Sequence, residues 1–318
     1  LKFPRFGAAT SETNHHESEI THQGHPGNPI QQRFPAFQDS GGMPGLAGTG
    51  RGGMRSSLSD DEQKFLRGHR SHDVDHVIRC WKALARQAGW TVETVVEQGG
   101  FPVVVISNAC DDGDGPSLYL SAGIHGDEPA GVAGLLRWAE ENAEVLSGIR
   151  FVIFPCLNPW GLAENCRLDA AGRDLNRMFD EAVTSPIREW REFMEGKRFD
   201  VAAMLHEDYD AHGTYLYELT RRGRRDGDRL LAGVDPVMPR HEGRADGQKL
   251  QNGIKRRTRG IRGIAETIDG MAEAIHLYLE HAEVTLTFET PSEFSLYRRV
   301  EAQKRFLDGV AGMLKSDQ

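Results

Sequence analysis

Long hydrophobic runs are missing from this 318-residue chain. The longest apolar stretches are short, such as Phe101-Pro102-Val103-Val104-Val105-Ile106. That is far below the roughly 18–20 residues of a membrane span, so no membrane association is expected. The first 30 residues hold no continuous apolar segment, which excludes a secretory signal in the sequence as it stands. Cysteine is scarce. Cys80, Cys110, Cys156 and Cys166 are scattered, and none forms a C-x-x-C pair. A disulfide framework is excluded, and a reducing, cytoplasmic compartment is the simplest reading. Positive charge is also in deficit, with 38 Lys+Arg against 47 Asp+Glu and a formal charge of −9. Non-specific nucleic-acid binding depends on cations displacing counterions from phosphates, so no nucleic-acid partner is expected.

Residues 1–53 hold 10 Gly and 5 Pro, with four basic and four acidic residues and no apolar period. Such a stretch buries too little surface to offset its ordering entropy. Residues 1–58 are therefore expected to be a disordered or spurious extension, and 59–318 a single catalytic domain. His15, His16, His22 and His25 in the extension are read as scattered polar residues. Val74, Val77, Ile78, Trp81, Leu84 and Ala85 repeat at helical spacing, and Gly89 closes that helix. Strands are expected at 91–97, 102–108, 117–122, 150–155, 201–206, 213–219 and 283–288. Helices are expected at 129–142, 186–196, 265–280 and 296–314. Strands alternating with helices indicate an α/β sheet with helices on its faces. Ligands of such sheets sit beyond the carboxyl ends of the strands.

The turn Ser121-Ala122-Gly123-Ile124-His125-Gly126-Asp127-Glu128-Pro129 follows an apolar strand and opens a helix. His125 and Glu128 lie three apart, so an imidazole nitrogen and a carboxylate oxygen can converge on one cation. A catalytic zinc takes three such ligands and keeps one place open. His206, ending the run Val201-Ala202-Ala203-Met204-Leu205, is the best third ligand, with His212 as its competitor. Glu207 beside it does not make an H-E-x-x-H motif, because Asp210 stands where the second histidine belongs. Between these lie Asn158-Pro159-Trp160-Gly161 and Arg167, then Gly172-Arg173-Asp174-Leu175-Asn176-Arg177-Met178-Phe179. Arginines grip carboxylates in paired hydrogen bonds and stabilise developing oxyanions. Thr287-Phe288-Glu289-Thr290-Pro291 closes a β run with a carboxylate able to take a proton from water and return it to a leaving amine.

Taken in order, these pieces resemble the zinc carboxypeptidases of the carboxypeptidase A type and their shorter bacterial relatives, over about residues 100–315. The resemblance implies a mixed, mostly parallel twisted sheet of about eight strands with helices on both faces. It implies one zinc ion (Zn2+) on His125, Glu128 and His206. It gives Arg167 the scissile carbonyl, Asn176 and Arg177 the substrate's terminal carboxylate, and Glu289 the part of general base and acid. The expected substrate is a peptide or an N-acyl amino acid with a free carboxylate. The chain departs from the large digestive members in one respect: no tyrosine lies between Tyr217 and Tyr278 to serve on a loop upstream of the base. The same triad and N-R pair occur in the succinylglutamate desuccinylase and aspartoacylase group. Those enzymes usually carry a further β-rich domain, whereas 29 residues follow Glu289 here, which favours the carboxypeptidase arrangement. A relative that kept the metal and lost catalysis is a further alternative. A closed structural zinc site is disfavoured, since such sites are mostly cysteine.

Residues 221–262 carry 13 Lys/Arg and 5 Asp/Glu. This basic stretch is either a solvated loop or a rim that attracts acidic substrates, in which case Arg256, Arg257 and Arg259 are its test positions.

Overall fold

The computed structural model describes residues 58–108, 115–180, 185–221, 225–245, 247–257, 260–261, 263 and 270–315. Apart from Leu58, the expected N-terminal extension lies outside them, as do its four histidines, Cys110 and Arg259.

Ten strands are present among the described residues: β1 Thr91–Gln98, β2 Phe101–Ser107, β3 Ser117–Ala122, β4 Arg150–Phe154, β5 Phe199–Asp208, β6 Tyr215–Thr220, β7 Arg244–Ala245, β8 Gln248–Lys249, β9 Ile254–Arg257 and β10 Ala282–Pro291. Eight of them form one mixed sheet in the order β1-β2-β4-β3-β5-β10-β6-β9, and β7 pairs with β8. The central strands β4, β3, β5 and β10 run parallel, while β2 and β6 flank them antiparallel. The sheet class and strand number are those expected.

Side-chain alternation gives this sheet two buried faces. Leu118, Leu120, Val201, Ala203, Leu205, Leu286 and Phe288 point to one of them. There they pack under α2 Val74–Ala88, α3 Pro129–Glu141, α7 Gly227–Val234 and α9 Leu296–Lys315. Tyr119, Val152, Phe154, Ala202 and Met204 point to the other, with α6 Ile187–Met194 and α8 Glu273–Glu280. Buried on both sides, β3 and β5 read as apolar runs, as parallel strands do. Helix α2 begins on Asp73, whose carboxylate accepts from His76 N, and ends on Gly89 at φ 74°.

Three short helices, α1 Asp60–Gly68, α5 Pro159–Glu164 and α7, add to the expected set, and α4 Ala143–Ser147 extends the turn after α3. The helix expected at 265–280 is described only as Glu273–Glu280. Gly270 takes φ 113°, and Met271 instead exchanges backbone hydrogen bonds with Arg177 and Phe179. Those long-range bonds compete with a helical start at 271.

On α8, His276 packs among Phe179, Trp190 and His281. Burial, with Arg191 and His281 nearby, pulls its imidazole down to about 4. A histidine so depressed favours folding least when protonated. The penalty is absent above about 6.5, its ordinary value, and complete below about 4. Denaturant titrations are therefore expected to show stability falling between those values, and His276→Leu to flatten that limb. An unchanged slope in the variant would remove His276 from the account.

Candidate metal centre and active site

Three strand ends build the site on the α6/α8 face, at the carboxyl edge of the parallel strands. The chain leaving β3 turns through His125-Gly126-Asp127-Glu128 into α3, with Pro129 in its first turn. Gly126 is required here by packing. A Cβ at this position would lie 1.9 Å from the Gly161 carbonyl carbon, so the turn meets the Asn158–Gly161 turn backbone to backbone. Asn158 caps α5 by accepting from Gly161 N at 2.9 Å. Its amide also donates to the carbonyls of Arg167 and Leu168, at 3.4 and 3.1 Å. The N-P-x-G piece thus fixes where Arg167 leaves the chain.

His125, Glu128 and His206 come together, each buried, with one ligand atom from each lying within 4.8 Å of the others. Glu128 Oε1 is 2.6 Å from His125 Nδ1, and Glu128 Oε2 is 2.9 Å from His206 Nδ1. The amide of Glu207 also donates to Glu128 Oε2, at 3.1 Å. Burial works against all three charges. The carboxylate between two imidazoles nevertheless holds Glu128 well below the usual range and holds both histidines above theirs, His125 at about 9. Two imidazole nitrogens and a carboxylate oxygen converging in a buried place make a donor set that fits a divalent ion such as zinc. His212 is elsewhere. Its side chain is 75% exposed and pairs with Glu293 at 3.5 Å. Glu207 has a structural part, capping Ala130 N at 2.7 Å and pairing with Arg299 of α9.

Arg167 leans over this group, its Nη1 3.2 Å from His125 Nδ1 and 3.6 Å from Glu128 Oε1. Asp174 holds it there through Nε and Nη2, at 3.2 and 3.0 Å. The other oxygen of Asp174 lies 3.2 Å from His125 Nε2 and accepts from Asn176 N at 3.0 Å. One carboxylate therefore orients His125, Arg167 and the 3-10 turn Leu175–Arg177. No role was expected for Asp174; its place directly before the L-N-R run was the available signal. A carboxylate on the far nitrogen of a metal-binding histidine fixes ring orientation and basicity. Asp174→Asn is expected to weaken metal affinity about 10- to 100-fold. Equal affinity in competition with a chelator would refute that role.

A cavity of about 720 Å³ opens over the group and is lined also by Asn176, Arg177, Glu289 and Tyr209. Glu289 on β10 stands in register with His206 on β5 and with Tyr215 on β6. Its negative charge adds to the pull that raises the His206 imidazole above its ordinary value. Asn176 Oδ1 accepts from Glu273 N at 2.9 Å, so the start of α8 sets the orientation of that amide. Every expected site residue borders this one cavity. Three tyrosines, Tyr209, Tyr215 and Tyr217, line it as well, from positions before the segment where one was sought. Among the described residues, no helix is long and apolar enough to cross a membrane.

Residues 114–212 match the family model of the succinylglutamate desuccinylase/aspartoacylase catalytic domain. Comparison with curated proteins gives no match. Among solved structures, a candidate metallopeptidase from Shewanella amazonensis SB2B superposes with a TM-score of 0.67 at 21% identity, covering 77% of this chain and 94% of that one. A second, from Shewanella denitrificans OS217, gives 0.65 at 21% identity, with 75% and 89% covered. A metallo-carboxypeptidase from Burkholderia cenocepacia gives 0.51 at 13% identity, with 76% and 68% covered. At such identities the likeness is one of fold. The chain has a metallo-carboxypeptidase-like fold related to the succinylglutamate desuccinylase group, with a buried His-Glu-His group at its centre.

Proposed function

We propose that this protein is a zinc-dependent hydrolase that cleaves an amide or peptide bond next to a free carboxylate, in the manner of a metallocarboxypeptidase. The observation that carries the reading is the meeting of His125, Glu128 and His206 in a cavity that Arg167, Asn176, Arg177 and Glu289 also line. A zinc ion on those three ligands would act as a Lewis acid toward a substrate carbonyl and acidify water. Glu289 takes the proton of the attacking water and delivers it to the departing nitrogen. Arg167, pinned by Asp174, offers N–H groups to the oxyanion that forms on attack. Asn176 and Arg177 hold the free carboxylate, which limits cutting to the bond beside it.

The match over residues 114–212 favours a second reading within the same chemistry, a deacylase of N-acyl amino acids. Metal analysis of the purified protein and a screen of C-terminal dipeptides against N-acyl amino acids test both. The carboxypeptidase reading expects one zinc per chain and release of a C-terminal residue. Release of acyl groups alone would install the deacylase, and metal binding with no turnover of either set would leave a non-catalytic relative.

A further inference from the structure

A buried carboxyl group that the proposed chemistry does not use lies at the start of α8. Glu273 is the first residue of that helix and is buried. Its Oε1 accepts from the Tyr119 hydroxyl of β3 at 2.5 Å. The Tyr119 oxygen accepts in turn from Trp190 Nε1 of α6, at 2.9 Å. An indole N–H only donates, so the phenolic proton is left for Glu273 and the direction of this chain is fixed. The other carboxyl oxygen, Oε2, is buried without a hydrogen bond of normal geometry, although the Ser121 hydroxyl is close by. Burial raises the Glu273 carboxyl above its ordinary value, against the pull of Tyr119, Ser121, His206 and His125. A carboxyl group placed in this way costs stability that an apolar side chain would not.

The backbone of the same residue meets the turn that carries Asn176 and Arg177. Ala272 gives α8 no side-chain cap, so the N–H groups of its first turn need acceptors from elsewhere. Glu273 N finds one in Asn176 Oδ1, at 2.9 Å. A backbone N–H only donates, so the amide oxygen of Asn176 faces the helix and its NH2 group is turned from it. Asn176 borders the cavity, and a carboxylate there accepts hydrogen bonds without donating any. With the amide reversed, oxygen would confront oxygen. The neighbouring backbone is clasped as well. Met271 N donates to the Arg177 carbonyl at 2.9 Å, and a Cβ at Gly270 would lie 2.2 Å from that same oxygen.

We infer that Glu273 is a positioning residue for Asn176. Its side chain, anchored to Tyr119 and through it to Trp190, holds the first turn of α8 in place. There the Glu273 N–H fixes the Asn176 amide with its donors toward the free carboxylate of the substrate. The anchor has a geometric consequence, because β3 carries Tyr119 and also leads into His125. Asn176 is thereby set against the strand that leads to the metal centre. The inference rests on the hydrolase reading, which gives Asn176 the carboxylate, and adds a residue that acts on binding without touching the substrate.

The test separates KM from kcat in the hydrolysis of N-acetyl dipeptides and N-acetyl amino acids. Glu273→Leu and Tyr119→Phe are each expected to raise KM about tenfold or more, the worth of one hydrogen bond to a charged group. In both, kcat should stay within about threefold of wild type, since Glu289 and the metal ligands are untouched. Glu273→Gln keeps an acceptor for Tyr119 and is expected to keep the wild-type KM. Poor folding alone would lower the amount of active protein, and so kcat, while leaving KM in place. Tyr119→Phe carries the test should Glu273→Leu fold poorly. In an Asn176→Ala background, Glu273→Leu should raise KM no further, because the two act through one amide. A KM unmoved by Glu273→Leu and Tyr119→Phe, or effects of Glu273→Leu and Asn176→Ala that add in full, would overturn the inference and leave the hydrolase reading standing. If the wild-type protein turns over neither class of substrate, the hydrolase reading fails and crystals of Tyr119→Phe decide the inference by themselves. Asn176 displaced from Glu273 N would support it, and Asn176 still bonded there would overturn it.

Discussion

Glu289→Gln is expected to lower kcat by about 10²- to 10⁴-fold while metal content stays at one ion per chain. The expectation follows from position. Glu289 stands level with His206 across the β5–β10 ladder and lines the cavity without belonging to the three-residue ligand group. Glutamine keeps the size of the side chain and its place on β10, so the sheet register has no cause to change. It cannot accept a proton from water or return one to nitrogen. The loss should appear in kcat, since the groups assigned to the substrate carboxylate, Asn176 and Arg177, are untouched. Turnover within a few-fold of wild type would remove Glu289 as the base. Metal loss in this variant would mean that it is a ligand instead.

His206→Ala is expected to release the metal and reduce hydrolysis to background, whereas His212→Ala keeps both. His206 is buried and its Nδ1 meets Glu128 at 2.9 Å, while His212 is at the surface, engaged with Glu293. Removing His206 also takes one of two imidazoles from a carboxylate that is only 3% exposed. An uncompensated buried charge destabilises strongly, on the order of 3–5 kcal/mol when the pair is broken outright. Metal analysis must therefore be read beside a melting curve. A folded His206→Ala protein with full metal content would contradict the ligand assignment.

Much of this architecture is legible in the residues themselves. Helix α2 announces itself through apolar spacing and through Gly89. The strands β3, β5 and β10 are visible as apolar runs, though their ladders carry β5 to Asp208 and β10 to Pro291, past the ends expected. The H-G-D-E turn, the strand-borne histidine and the T-F-E-T-P run named the group that the fold brings together.

What stayed hidden depends on partners distant in the chain. Asp174 acts on His125, 49 positions away, and its place before the L-N-R run is a hint that does not name that partner. The start of α8 is decided by Met271 bonding to the 177–179 segment, which local propensity does not contain. Residues 221–262 read as charge without period, because their strands β7, β8 and β9 are two to four residues long. Periodicity needs a longer window. Only the register of β9 with β6 shows that Lys255 and Arg257 share a face while Arg256 does not.

The most direct test is anomalous diffraction at the zinc edge from crystals of the purified protein. The account predicts a single strong peak per chain, within bonding distance of His125, Glu128 and His206, with Glu289 facing its open side and not coordinating it. A peak at His212, or a fourth protein ligand closing the centre, would contradict it.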